Sequence, residues 1–86
     1  MLGWNLTDGF KALDHPARVL ILTLLSENGP MRYNQLSTLV RLKGASMGYH
    51  MLVLRPYVVK NNDGLYELNE LGKHLSRLAT KAKQTS

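Results

Sequence analysis

The stretch YNQLSTLVRLKGASMGYHMLVL, Tyr33 to Leu54, decides the fold. Leu36 and Val40 recur at i, i+4 and give a first short helix an inward face. Met47, Met51 and Leu54 recur at i, i+4, i+7 and do the same for a second. Between them, Arg41-Leu42-Lys43-Gly44 sets two cations and a flexible residue at a corner. The other face of the second helix carries Ala45, Ser46 and Tyr49, with Gly48 and His50 on its flanks. Small and hydrogen-bonding side chains suit a helix lowered into a DNA major groove, where bulky or acidic ones do not. The stretch is read as a helix-turn-helix over about 33–55, and the other segments as its supports.

Upstream, Thr7 or Asn5 can cap a first helix that runs to about Leu13, with Asp8 in its first turn. Phe10 and Leu13 share one side of it, which Leu6 and Trp4 extend; Trp4 is an anchor either in this core or across a dimer seam. Asp14-His15-Pro16 breaks the chain, and Pro16 suits a first helical position because its missing N–H has no partner there anyway. The helix Pro16 to Asn28 is apolar around most of its girth, so it belongs in the middle of the fold, and Gly29-Pro30 stops it. Arg18 opposes the dipole of this helix and is assigned either a carboxylate or a phosphate.

Downstream, Met31 to Tyr33 reads as a short extended stretch, and Arg55-Pro56 ends the second helix of the pair. Val58-Val59 and Leu65 to Leu68 form a β-hairpin turning at Asp63-Gly64, over about 58–68. A two-residue turn pairs Lys60 with Glu67 and Val59 with Leu68. The tip, Asn61-Asn62, is either a contact for a phosphate backbone or minor groove or an ordinary exposed turn. Asn69 caps a last helix over about 70–82, whose Leu71, Leu75 and Leu78 fall at i, i+4, i+7 with a basic opposite face.

The totals bound the function. Eighty-six residues with 44% apolar content make one domain, residues 1–86, with a core small enough for a second copy to complete some apolar surface. The absence of cysteine excludes disulfides and thiolate metal sites and fits a reducing, cytoplasmic setting. Met1 to Asn5 lacks the pattern of a signal peptide, and the apolar run Val19 to Leu22 is too short to span a membrane. The net charge is +5, and its placement matters more than its size. No acid falls between Asn28 and Asn62, while Arg32, Arg41, Lys43, Arg55 and Lys60 all do, which points to a polyanionic partner. His15, His50 and His74 lie in separate segments outside any nucleophile, phosphate-loop or HExxH pattern, so neither enzyme chemistry nor a cofactor or metal is expected. His74 is placed on a solvent face, and His50 on a phosphate or a backbone carbonyl.

The order helix, helix, helix-turn-helix, hairpin, helix is mainly α with a small β-hairpin, that of a winged helix-turn-helix. Phe10-Lys11-Ala12-Leu13-Asp14-His15-Pro16-Ala17-Arg18-Val19-Leu20-Ile21-Leu22 resembles the opening of the arsenic-repressor (ArsR) type of winged-helix transcription regulators. In that group an alanine-leucine pair and a short spacer precede proline, arginine and an isoleucine-leucine pair. Tyr49-His50-Met51 with Leu54 is similar to the group's recognition helix, and Asp63 to Leu68 with Leu71-Gly72 to its wing and last helix. The resemblance covers roughly Phe10 to Leu78. It implies a homodimer built through the first and last helices, using Trp4, Leu6, Phe10, Leu71, Leu75 and Leu78. It implies DNA contacts at Ala45, Ser46, Gly48, Tyr49 and His50, and wing contacts at Lys60, Asn61 and Asn62. The chain departs from the group in having Met31-Arg32-Tyr33-Asn34-Gln35-Leu36 where metal sensors carry a Cys-x-Cys pair, and Arg41 and Lys43 where glycine and a capping serine are usual.

The expected function is therefore sequence-specific recognition of double-stranded DNA by a homodimeric transcription regulator, without membrane attachment. Arg41, Lys43, Arg55 and Lys60 hold phosphates, and Ser46 and Tyr49 reach base edges. Two other readings use the same residues. One is an architectural protein that coats DNA with little sequence preference. The other is a protein-interaction winged helix whose contact face includes Leu52 and Val53. No effector pocket is legible in the sequence.

Overall fold

The computed structural model describes the backbone of residues 6–85 and the side chains of residues 8–80. Five helices and one hairpin follow the expected order: α1 Leu6–Ala12, α2 Pro16–Asn28, α3 Tyr33–Val40, α4 Gly44–Val53, β1 Val58–Lys60, β2 Tyr66–Leu68 and α5 Glu70–Thr85. This is a winged helix-turn-helix. Trp4 and the side chain of Leu6 lie outside the described residues.

Helix α2 starts and stops where local chemistry says it must. His15 is extended and its Nδ1 accepts the Ala17 N–H at 3.0 Å, Pro16 takes the first helical position, and Gly29 ends the helix at φ +77°. Ile21, Leu22 and Leu25 are buried from it against α3, α4, β2 and α5, where they meet Leu36, Met47, Leu54, Tyr57, Leu68 and Leu75. Each such side chain contributes about 1.5–3 kcal/mol by leaving water. Helices this short have no stability of their own, so this packing is what keeps α3 and α4 in place.

The corner between α3 and α4 is closed by backbone. Arg41 adopts the left-handed conformation at φ 62°, and its N–H bonds the Thr38 carbonyl at 3.3 Å. Leu42 N–H bonds the Ser37 carbonyl at 3.1 Å, and the Ser37 hydroxyl donates to the Leu42 carbonyl. Glycine would adopt this geometry more cheaply than arginine. Here the left-handed position holds an exposed cation instead.

The hairpin departs from the expected register by one residue. Val58 pairs with Leu68, Val59 with Glu67 and Lys60 with Tyr66. The cause is Asn61, whose side-chain oxygen accepts the N–H groups of Asp63 (2.9 Å) and Leu65 (3.0 Å). Its own N–H bonds the Leu65 carbonyl at 2.8 Å, and Gly64, at φ +79°, donates to the Asn61 carbonyl at 3.1 Å. That is a three-residue turn with a left-handed glycine in last place. Val58 and Leu68 both face the core as a result. Met31 joins the hairpin edge through a pair of bonds with Tyr66, at 2.9 and 2.7 Å.

Asn69 locks α5 to the segment behind α4. Its Oδ1 accepts the Gly72 N–H at 2.8 Å, its Nδ2 donates to the Pro56 carbonyl at 2.8 Å, and its N–H donates to the Tyr57 carbonyl at 3.0 Å. Among the described residues no helix is long and apolar enough to cross a membrane.

Candidate nucleic-acid interface

Helix α4 has two faces, and the core decides which is which. Met47 and Leu54 are fully buried and Met51 half-buried, as their spacing predicts. Opposite them Ala45, Ser46, Gly48 and Tyr49 are exposed, joined by Leu52 one turn further on. Four cations border this face: Arg41 and Lys43 in the turn before α4, Arg55 just after it, and Lys60 at the end of β1, all exposed. The ion pair found among the described residues, Lys73 with Glu70 at 3.3 Å, lies away on α5. No described carboxylate neutralises the four cations around α4. Lys60 extends its ammonium over the Tyr66 ring, 5.9 Å from the centroid.

Two of the expected contact residues are placed otherwise. His50 is buried at 6% exposure, on the core side of α4. It falls three residues after Met47 and four before Leu54, so the helical period turns it inward. Asn61 is half-buried, with its carbonyl holding the wing turn and its amide donating to Glu67 Oε1 at 3.1 Å. Asn62 is the exposed member of that pair, and Asp63 stands exposed beside it. Of the residues assigned to a dimer seam, Phe10 is 60% exposed, and Leu71 and Leu78 are half-buried. Leu75 is fully buried in the chain's own core, because α5 packs that side of its leucine stripe on α2. Leu20, 39% exposed, lies on α2 with half-buried Leu13 and Val19 beside it along a shallow groove.

Arg18 and His50 tie α4 to α1 and α2. Arg18 is buried, and it bonds neither a carboxylate nor an exposed anion site. Its Nε donates to the Ala12 carbonyl at 2.9 Å and its Nη2 to the Lys11 carbonyl at 3.1 Å. These carbonyls form the C-terminal end of α1, the negative end of its dipole. Its Nη1 lies 3.0 Å from His50 Nδ1. A guanidinium only donates, so Nδ1 accepts and the proton of the neutral imidazole sits on Nε2. The His15 ring stacks at a tilt on His50, with centroids 4.3 Å apart. Among the described residues no third ligand joins these two histidines in a metal-binding group. The signal for this cluster was in the sequence: an arginine with the wrong sign for its helix end, and a histidine in step with two core residues.

Burial holds the His50 pKa below the ordinary 6.5, and nearby His15 and Arg18 push the same way. The unfolded chain therefore takes up a proton at this residue before the folded one does, so stability falls as pH drops from about 6.5 toward the folded value. His50→Asn keeps an acceptor for Arg18 and removes the titration. Thermal denaturation at pH 7 and 5 should show the wild type losing more than the variant; parallel losses would count against this cluster as the cause.

A family model described as a domain of unknown function (DUF7347) matches residues 6–79. No curated protein matches the sequence. Among solved structures, the fold is similar to the transcriptional repressor BigR from Xylella fastidiosa, with TM-score 0.73 and 20% identity over 93% of this chain and 84% of that one. It is similar to the multiple antibiotic-resistance repressor (MarR) from Listeria monocytogenes 4b F2365, with TM-score 0.72 and 18% identity over 87% of this chain. The match spans 56% of the Listeria chain's length. A predicted DNA-binding transcriptional regulator from E. coli gives TM-score 0.66 and 25% identity over 90% of this chain and 84% of that one. What these proteins share with the chain is the winged-helix fold of transcription regulators; the arsenic-repressor type is not singled out among them.

Proposed function

The chain belongs to the DUF7347 family, and we propose that it is a transcription regulator that binds double-stranded DNA as a homodimer. One observation carries this reading: an exposed, acid-free helix face of Ala45, Ser46, Gly48, Tyr49 and Leu52, bordered by four exposed cations that no described carboxylate neutralises. In this reading α4 enters the major groove. Arg41, Lys43, Arg55 and Lys60 hold phosphates on either side, and Ala45, Ser46, Gly48 and Tyr49 face the bases. Asn62 extends the wing contact, while Asn61 shapes the turn that presents it. The exposed Phe10 and the half-buried Leu71 and Leu78 supply the apolar surface for a second copy through α1 and α5. The opening of α2 and the wing favour the arsenic-repressor type, in a form without the cysteine metal site. The compared proteins are repressors and regulators, which supports a binding role over catalysis.

Counterion release makes the test quantitative. With four phosphates neutralised per subunit, the log–log dependence of affinity on salt should have a slope of about −7 for the dimer. Fluorescence anisotropy with duplex DNA between 50 and 200 mM salt, about the range where such slopes are resolved, measures it. A slope near zero, or no binding at low salt, removes the proposal. Footprints should show two-fold related half-sites about 34 Å apart.

A further inference from the structure

We infer, resting on the DNA reading above, that α4 recognises the C5-methyl group of thymine, and that the protein therefore prefers A·T-rich duplexes. The exposed face consists of Ala45, Ser46, Gly48, Tyr49 and Leu52, spaced as one helical stripe. Its hydrogen-bonding side-chain groups are two hydroxyls, Ser46 and Tyr49. Reading guanine or adenine in the major groove by a bidentate pair takes arginine, lysine, asparagine or glutamine, and this stripe carries none. His50, the one ring nitrogen donor expected there, is turned into the core and bonded to Arg18. The long cations Arg41 and Lys43 precede the helix and Arg55 follows it, outside the stripe.

What the stripe does offer is apolar surface. Tyr49 is 58% and Leu52 57% exposed, and Leu52 lines a groove of ≈ 360 Å³ between α4 and the wing with Gly48, Arg55 and Lys60. Gly48 leaves open space where a Cβ would stand, so the helix can lie close to a base edge. The apolar group that a base presents in the major groove is the thymine methyl; a G·C pair has none. Ala45, the Tyr49 ring and Leu52 are matched to it by size and polarity. Burying one methyl is worth about fourfold in affinity, and a half-site with two or three of them accumulates tenfold or more, on the order of the same estimate squared.

The experiment changes the DNA before it changes the protein. The full chain is titrated at low salt with four duplexes: alternating A·T, alternating A·U, alternating G·C, and alternating G·C with 5-methylcytosine. Uracil lacks the methyl, and 5-methylcytosine carries one at the same ring position. A·T should bind about tenfold tighter than A·U, and methylation should tighten binding to the G·C duplex. Both differences should shrink in Tyr49→Ser/Leu52→Ser, whose altered side chains are exposed, to no more than the roughly fourfold that one methyl on the remaining Ala45 supplies. Equal wild-type affinity for A·T and A·U overturns the inference and leaves the DNA reading standing. Differences of undiminished size in the double variant also overturn it, since they would come from duplex shape. Equal affinity for all four duplexes returns the low-preference, architectural reading, and no binding to any of them removes the DNA reading itself.

Discussion

Gly72→Ala should unfold this protein about 10–20 °C earlier than the wild type, a loss on the order of 2–3 kcal/mol. A Cβ at this position would stand 2.2 Å from the Tyr57 carbonyl oxygen and 3.1 Å from its carbon. Neither side yields easily. The Tyr57 carbonyl is fixed by the Asn69 N–H at 3.0 Å, Tyr57 is itself 2% exposed, and Gly72 is tied by its N–H to Asn69 Oδ1 at 2.8 Å. Helix propensity works in the opposite direction, since alanine is favoured over glycine by about 1 kcal/mol inside a helix. The overlap is about an ångström beyond normal contact, and overpacking of that kind costs about 1–3 kcal/mol or more. The clash wins. Gly48, also helical, meets nothing within 4 Å. Gly48→Ala should therefore stabilise by about 0.5–1 kcal/mol. Thermal denaturation of the two variants should give shifts of opposite sign; a stabilised Gly72→Ala would show that the Tyr57 carbonyl yields to the added Cβ.

Arg18→Ala should cost about 3 kcal/mol, a large share of the roughly 4–13 kcal/mol expected for a domain of this length. It removes three donors at once, from the Lys11 and Ala12 carbonyls and from His50 Nδ1. Each buried polar group left unsatisfied costs about 1–3 kcal/mol, and water entering the vacated space offsets part of that. Arg18→Met separates packing from bonding, because it refills the volume without supplying donors. Arg18→Lys retains the charge but cannot fork to three acceptors in one plane. All three variants should lose hydrogen-exchange protection at the end of α1 and in α4, and DNA affinity should fall at temperatures where the fold is intact. An Arg18→Met protein with wild-type stability and protection would show that the cluster contributes nothing net.

Both predictions rest on contacts between segments far apart in the chain, which marks the boundary of what can be read in sequence. The helix-turn-helix was legible because Leu36 and Val40, then Met47, Met51 and Leu54, keep the helical period, and the apolar period dictates burial. Helix α2 was legible to the residue, since proline at its start and glycine-proline after its end are local steric facts. Asn69 was recognisable as a cap for the same reason. The outward side of α4 also follows from periodicity, apart from His50, where two core residues in step with it outweigh its polarity.

The hairpin register was not legible, because Asn61 changes the turn length through its side chain rather than through its place in a two-residue pattern. Nor was the partner of Arg18, which lies on α1 behind it and on α4 thirty-two residues ahead. Leu75 shares its spacing with Leu71 and Leu78, and only the packing of α5 on α2 separates the core member from its half-buried neighbours. Sequence by itself determined where the helices run, which face of α4 is bare and which charges surround it. Those properties depend on steric preference and apolar period within a few residues. The bonds of Arg18 to the end of α1 and to His50, and the tight Gly72 contact, were decided by tertiary structure, because each depends on which distant surfaces meet.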